Sequence, residues 1–192
     1  MAIGRGKPRE RILTTATTLF SQEGITAVGV NRIIEEAEVA PMTLYRQFGG
    51  KDELVAATLE QWGAAWLHKL AEAIDRRGDE PAARFAGLWD ALEAWFAEDG
   101  FRGSFAANAA TELRSQPGHP AHAVVARHRL DFRQLLEDQA KLAGAYDPAV
   151  LAAQLQVIID GAISAAAVDR DPAAARGART LADAAIAASS AA

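Results

Sequence analysis

Residues 39–54 read VAPMTLYRQFGGKDEL. Pro41 suits the first turn of a helix, where its fixed φ is already helical and its missing N–H has no partner to lose. Gly49-Gly50 ends that helix after Phe48. Leu44 and Phe48 are four apart and share one face, so that face packs inward. Thr43, Arg46 and Gln47 then point elsewhere. A helix of two turns is unstable alone. It must be held by neighbours, and the groups on its other face serve something other than its own stability.

Upstream, a first helix is expected from about Pro8 to Glu23, with Ile12, Leu13, Ala16, Leu19 and Phe20 as its apolar stripe and Gly24 as its stop. A second runs from about Val30 to Ala37, with Gly29 as N-cap and Ile33, Ile34 and Ala37 inward. The turn Glu38-Val39-Ala40 joins it to the Pro41–Phe48 helix. Two short helices across a tight turn, braced by a longer first helix, make a helix-turn-helix that offers its second short helix to the major groove. The residues facing outward fit that use. Arg pairs bidentately with guanine, Gln with adenine, and Thr reaches a thymine methyl or a phosphate. Tyr45 offers a ring and a hydroxyl to sugar and phosphate. Lys51 sits where the next helix begins, among N–H groups that already favour phosphate.

Residues 9–55 resemble the amino-terminal domain of the TetR family of bacterial transcriptional repressors. The resemblance is carried by Ala16, Leu19-Phe20, Gly24, Ile33-Ile34, and Thr43-Leu44-Tyr45 followed by Phe48, Lys51 and Leu54. It implies DNA-facing roles for Asn31, Arg32, Thr43, Tyr45, Arg46, Gln47 and Lys51. It also implies a homodimer that binds a pseudo-palindromic operator as a repressor and is released by a small effector. Two positions depart from the family pattern. Gly29 stands where Thr or Ser is common and has no hydroxyl for a phosphate. Glu38 stands where Gly is common, in a tight turn and facing an anionic partner.

Six further helices are expected: Lys51 to about Arg77, Pro81 to Glu98, Ser104 to Ser115, Pro120 to Ala143, Pro148 to Val168, and one opened by Asp171-Pro172 that ends in a frayed SSAA tail. The chain thus reads as all-α, about nine helices, with a DNA-binding domain over residues 1–50 and a helical effector-binding and dimerisation domain over 51–192. Aromatic residues gather in the body. Trp62, Trp66, Phe85, Trp89, Phe105 and Phe132, with Asn108, Glu112 and His128 as polar companions, form the expected pocket for an apolar or aromatic small molecule. Trp62 lies on the helix that joins head to body, where a ligand would change the separation of the two heads of a dimer. Leu151, Leu155, Ile158, Ile159, Ala162 and Ala166, with Ala174, Ala178, Leu181, Ala185 and Ile186, give two stripes, over about 148–168 and 172–188, suited to a four-helix dimer interface.

Bulk properties set the limits. The chain has 192 residues, half of them hydrophobic, and no cysteine, so a sizeable core forms and thiolate chemistry is excluded. Residues 1–51 carry seven Lys/Arg against five Asp/Glu, and the remainder 13 against 20. A basic head, rich in Arg5, Lys7, Arg9 and Arg11, on an acidic body confines an anionic partner to the head. The start MAIGRGKPRE lacks the apolar core of a secretory signal, and no apolar run is expected to cross a bilayer, so the expectation is a cytoplasmic protein without membrane contact. No nucleophile motif, phosphate loop or HExxH is present, so neither an enzyme nor a cofactor is expected. His122 and His128 are six apart, off one helical face, so no metal site is expected. The competing reading is a helical adaptor that binds proteins; it would not need Tyr45, Arg46, Gln47 and Lys51 in this register.

Overall fold

A computed structural model describes residues 6–189, and every regular element among them is a helix. The order is α1 (Pro8–Glu23), α2 (Val30–Glu36), α3 (Pro41–Phe48), α4 (Lys51–Asp75), α5 (Pro81–Phe96), α6 (Phe105–Glu112), α7 (Ala121–Leu142), α8 (Pro148–Asp169) and α9 (Ala174–Ser189). The all-α expectation holds. Arg5 and the last three residues of the SSAA tail lie outside the described residues. The chain divides into two compact units: residues 1–64 with 105–128, and residues 65–104 with 129–192. The first half of α4, all of α6 and the start of α7 therefore group with the three amino-terminal helices.

In the first unit, α1, α2 and α3 close on one apolar core. Ile12, Ala16, Phe20, Ile33, Ala37, Leu44, Leu54 and Leu59 are each almost wholly buried. Helix α6, the turn after it and the start of α7 feed the same core through Phe105, Ala109, Leu113, Val124 and Val125. Helix α2 ends in a Schellman motif. Glu38 N–H donates to Glu35 O at 3.0 Å, and Val39 N–H to Ile34 O at 3.2 Å. The motif needs a left-handed residue, and Glu38 takes that role at φ +50°. The Arg11 guanidinium caps the same helix end, donating to Ala37 O at 2.5 Å and to Glu38 O at 2.6 Å. Gly63 sits mid-helix for a packing reason: a Cβ there would lie 2.9 Å from His128 Nδ1.

In the second unit, α5, α8 and α9 pack together. Gly87 lets α5 press against α4; a Cβ on it would stand 2.5 Å from the Ala73 carbonyl oxygen. Helix α8 starts on Asp147, whose carboxylate accepts from Val150 N–H at 3.1 Å, and buries Leu151, Leu155, Ile159, Ile163 and Ala166. Its buried Gln156 is satisfied on both sides: Arg133 Nε donates to its Oε1 at 2.8 Å, and its Nε2 donates to Arg129 O at 3.2 Å.

The membrane expectation needs a correction. By length and composition α8 is able to cross a bilayer, with 22 residues and a window of mean hydropathy 1.6. Small alanines, rather than leucines and valines, supply much of its apolar character, so the run does not stand out in the sequence. Only 44% of that window is buried. Core helices of water-soluble proteins pass the same test, and polar Gln156 and Asp160 interrupt this one. What stands out is the apolar surface it leaves exposed, Val150 and Val157 in particular.

Candidate DNA-binding site and effector region

The second short helix of the head divides cleanly. Leu44 and Phe48 are buried, while Tyr45, Arg46 and Gln47 are exposed and Thr43 is half-buried. Pro41 starts the helix, and Gly49 at φ +82° ends it, its N–H donating to Tyr45 O at 2.8 Å. Among the described residues the side chains of Arg46, Gln47 and Lys51 make no hydrogen bond or ion pair, so they remain available to a partner. Arg9 adds charge nearby, its guanidinium 5.2 Å from the centre of the Phe48 ring.

Lys51 opens α4 beside Asp52, and that corner is held by His119, in the connection between α6 and α7. His119 is buried, its Nδ1 accepts from Ala121 N–H at 3.1 Å, and its Nε2 lies 3.4 Å from the Asp52 carboxylate. With Nδ1 accepting, the ring proton sits on Nε2 and faces the carboxylate.

Arg32 is placed differently from the other expected DNA-facing residues. Its guanidinium donates to both Glu23 oxygens, at 2.5 and 2.8 Å, and to Glu36 at 2.7 Å. Those carboxylates, Glu23 first, hold it in its charged form and push its pKa further up. The fork spans α1 and α2, so Arg32 is occupied as a brace. Asn31 beside it is exposed. Gly29 caps α2 with extended backbone (φ -84°) and no side-chain bond.

The expected effector residues fall into two groups, one in each compact unit. In the first unit the Trp62 ring is 6.0 Å from Phe105 and 5.4 Å from His128, both edge-on. Asn108 is exposed. Glu112 serves the head directly: its carboxylate accepts from Thr26 N–H at 2.9 Å, in the loop between α1 and α2. In the second unit Trp66 meets Phe132 at 4.9 Å and Trp95 at 5.4 Å, and Trp95 meets Phe101 at 5.0 Å. Phe85 and Trp89 are buried, and the Trp89 indole N–H has no hydrogen-bond partner among the described residues. Trp95 and Phe101 are members of this aromatic cluster that the expected pocket omitted.

The carboxy-terminal pair carries a further surface. Tyr146, Val150, Val157 and Ile158 line a groove of about 750 Å³ with Ala185 and Ser189. Tyr146 and Val157 are among the most exposed large apolar side chains described.

A buried-anchor, polar-faced second helix in a braced helix-turn-helix defines a DNA-binding regulator. Comparison with known proteins gives the family. Residues 12–58 match the family described as bacterial regulatory proteins, tetR family. A TetR-family transcriptional regulator from Streptomyces coelicolor has 31% identity and a TM-score of 0.85, over 95% of this chain and 96% of its own. The chain therefore belongs to the TetR family. An uncharacterized HTH-type transcriptional regulator of Bacillus subtilis is 36% identical over 39% of this chain, and the match spans only 40% of that relative's length. The HTH-type transcriptional repressor Rv3405c of Mycobacterium tuberculosis is 34% identical over 41% of this chain and 46% of its own.

Proposed function

We propose that the chain is a cytoplasmic, ligand-responsive repressor that binds a pseudo-palindromic operator as a homodimer. The observation that carries this reading is α3: its apolar pair is sealed in the core while Tyr45, Arg46 and Gln47 stand outward, with no side-chain hydrogen bond or ion pair among the described residues. Thr43 and Lys51 flank them, and Asn31 adds a polar group from α2. Arg32 belongs to the site as the brace that sets α2 on α1. A single head makes too few contacts for strong specificity, and a two-fold dimer reads two half-sites. The exposed apolar residues of α8 and α9 support an isologous interface through those helices, with residues 1–50 as reading head and 51–192 as the regulated body.

The aromatic side chains of each unit, Trp62 and Phe105 in one and Trp66, Phe85, Trp89 and Phe132 in the other, favour an apolar or aromatic effector, and the Trp89 indole N–H, without a partner among the described residues, favours one that carries a hydrogen-bond acceptor. Release follows by differential binding: an effector that prefers the conformation with wrongly spaced heads lowers operator affinity. Helix α4 is one continuous element from Lys51 to Asp75, which supports it as the link. The test is selection of DNA from a random pool by the purified chain. An enriched pseudo-palindrome whose affinity falls steeply with salt supports the reading; a folded dimer that enriches nothing sinks it.

A further inference from the structure

Within the unit formed by residues 1–64 and 105–128, the described residues leave two large apolar side chains exposed, Met42 at 76% and Tyr45 at 47%. Both belong to α3. Met42 lies three residues before Tyr45 and four before Arg46, so the three share one face of the helix. Met42 also occupies the first helical turn, one residue after Pro41. In a helix-turn-helix the amino-terminal residues of the second helix are those that meet base edges.

Met42 shares its face with Tyr45 and Arg46, and covering its long thioether chain with an apolar group of a partner is favourable. The partner must be anionic overall to suit Arg46 and Lys51, yet present an apolar group at the reach of Met42. In the major groove that group is the C5-methyl of thymine, which apolar side chains recognise. Thr43, also able to contact a thymine methyl, is half-buried and less extended. Resting on the operator-binding reading above, we infer that Met42 is a specificity-determining residue that reads a thymine methyl in each half-site, beside the base pair met by Arg46.

The test begins with random-pool selection by the full chain and by Met42→Ala and Met42→Leu. Position 42 is exposed and Ala is a good helix former, so the fold is expected to persist. Met42→Ala should lose one thymine preference at one symmetry-related position while all others stay. Replacing that thymine by deoxyuridine removes only the methyl. The native chain should then lose about fourfold in affinity for one half-site and about fifteenfold for both, from the burial of one methyl group each. Met42→Ala should lose nothing further on the deoxyuridine probe, and Met42→Leu should keep the methyl effect.

An unchanged preference in Met42→Ala would overturn the assignment. So would equal losses on deoxyuridine in native and Ala chains, since Met42 would then touch only sugar or phosphate. A native chain that enriches no site at all would instead overturn the operator-binding reading, and this inference with it.

Discussion

Glu38 offers a double perturbation that separates backbone strain from charge. It sits at φ +50° in the turn between α2 and α3, where an L side chain costs about 1–2 kcal/mol. Glycine removes that cost but adds about 0.5–1 kcal/mol of freedom to the unfolded chain. Alanine keeps the strain. Both variants lose the same carboxylate, whose contact with Arg11 is 3.7 Å long on an 82% exposed side chain and contributes close to nothing. Glu38→Gly should therefore be about 0.5–1 kcal/mol more stable than Glu38→Ala. For a chain of this size that is roughly 1–4 °C in Tm. Urea denaturation and calorimetry read the difference directly. Operator binding reads the charge: if the turn faces DNA as proposed, removing its carboxylate should raise affinity more at low salt than at high salt, and equally in both variants. Equal stability of the two variants would refute the strain argument. An unaltered salt dependence in both would refute the placement of Glu38 near phosphates.

Other outcomes are expected. Arg32→Ala and Glu23→Gln should both lower Tm yet leave the selected operator sequence unchanged, because the guanidinium is held within the head; a lost base preference in Arg32→Ala alone would restore it to the reading set. Gly87→Ala should destabilise by about 1–3 kcal/mol in urea titration, against the usual helical gain from Gly→Ala, because the new Cβ meets the Ala73 carbonyl. Glu112→Ala should cost about 1 kcal/mol by leaving Thr26 N–H without its acceptor, and Glu112→Gln less. Val157→Asp should yield a folded monomer in light scattering, with operator affinity reduced, since this exposed side chain touches the groove between α8 and α9.

The sequence reading gave the same limits for α1 and α3 as the structure, because Pro8, Gly24, Pro41 and Gly49 each act through their own backbone. Ends set by side-chain turns were less legible. Helix α9 begins at Ala174 rather than Pro172, since the Asp171 carboxylate accepts from Ala173 N–H at 2.8 Å and makes a turn first. The inward residues of α2 and α3 followed from spacing alone. Partners distant in the chain did not. Arg32 and Glu23 are nine residues apart on different helices, and Thr26 and Glu112 are 86 apart; no local pattern joins them. His119 lies in the connection beside Pro120, and only the tertiary arrangement shows it buried against Asp52, far away in the chain. The apolar reach of α8 was diluted among alanines in the sequence and is visible as an uncovered face once the helix is built.

The division of α3 into anchors and outward residues has a consequence for how such a head changes over time. Leu44 and Phe48 hold the helix in place, and the Schellman turn, Arg11 and the Arg32 fork fix its neighbours without calling on any outward residue of α3. The vocabulary of the surface is thus separable from the grammar of the fold. On the operator-binding reading proposed above, a duplicated copy of this gene drifts at positions 42, 45, 46 and 47 toward a new address on the chromosome without first passing through an unfolded ancestor. The same separation gives a synthetic biologist a small set of positions at which to build regulators that ignore one another.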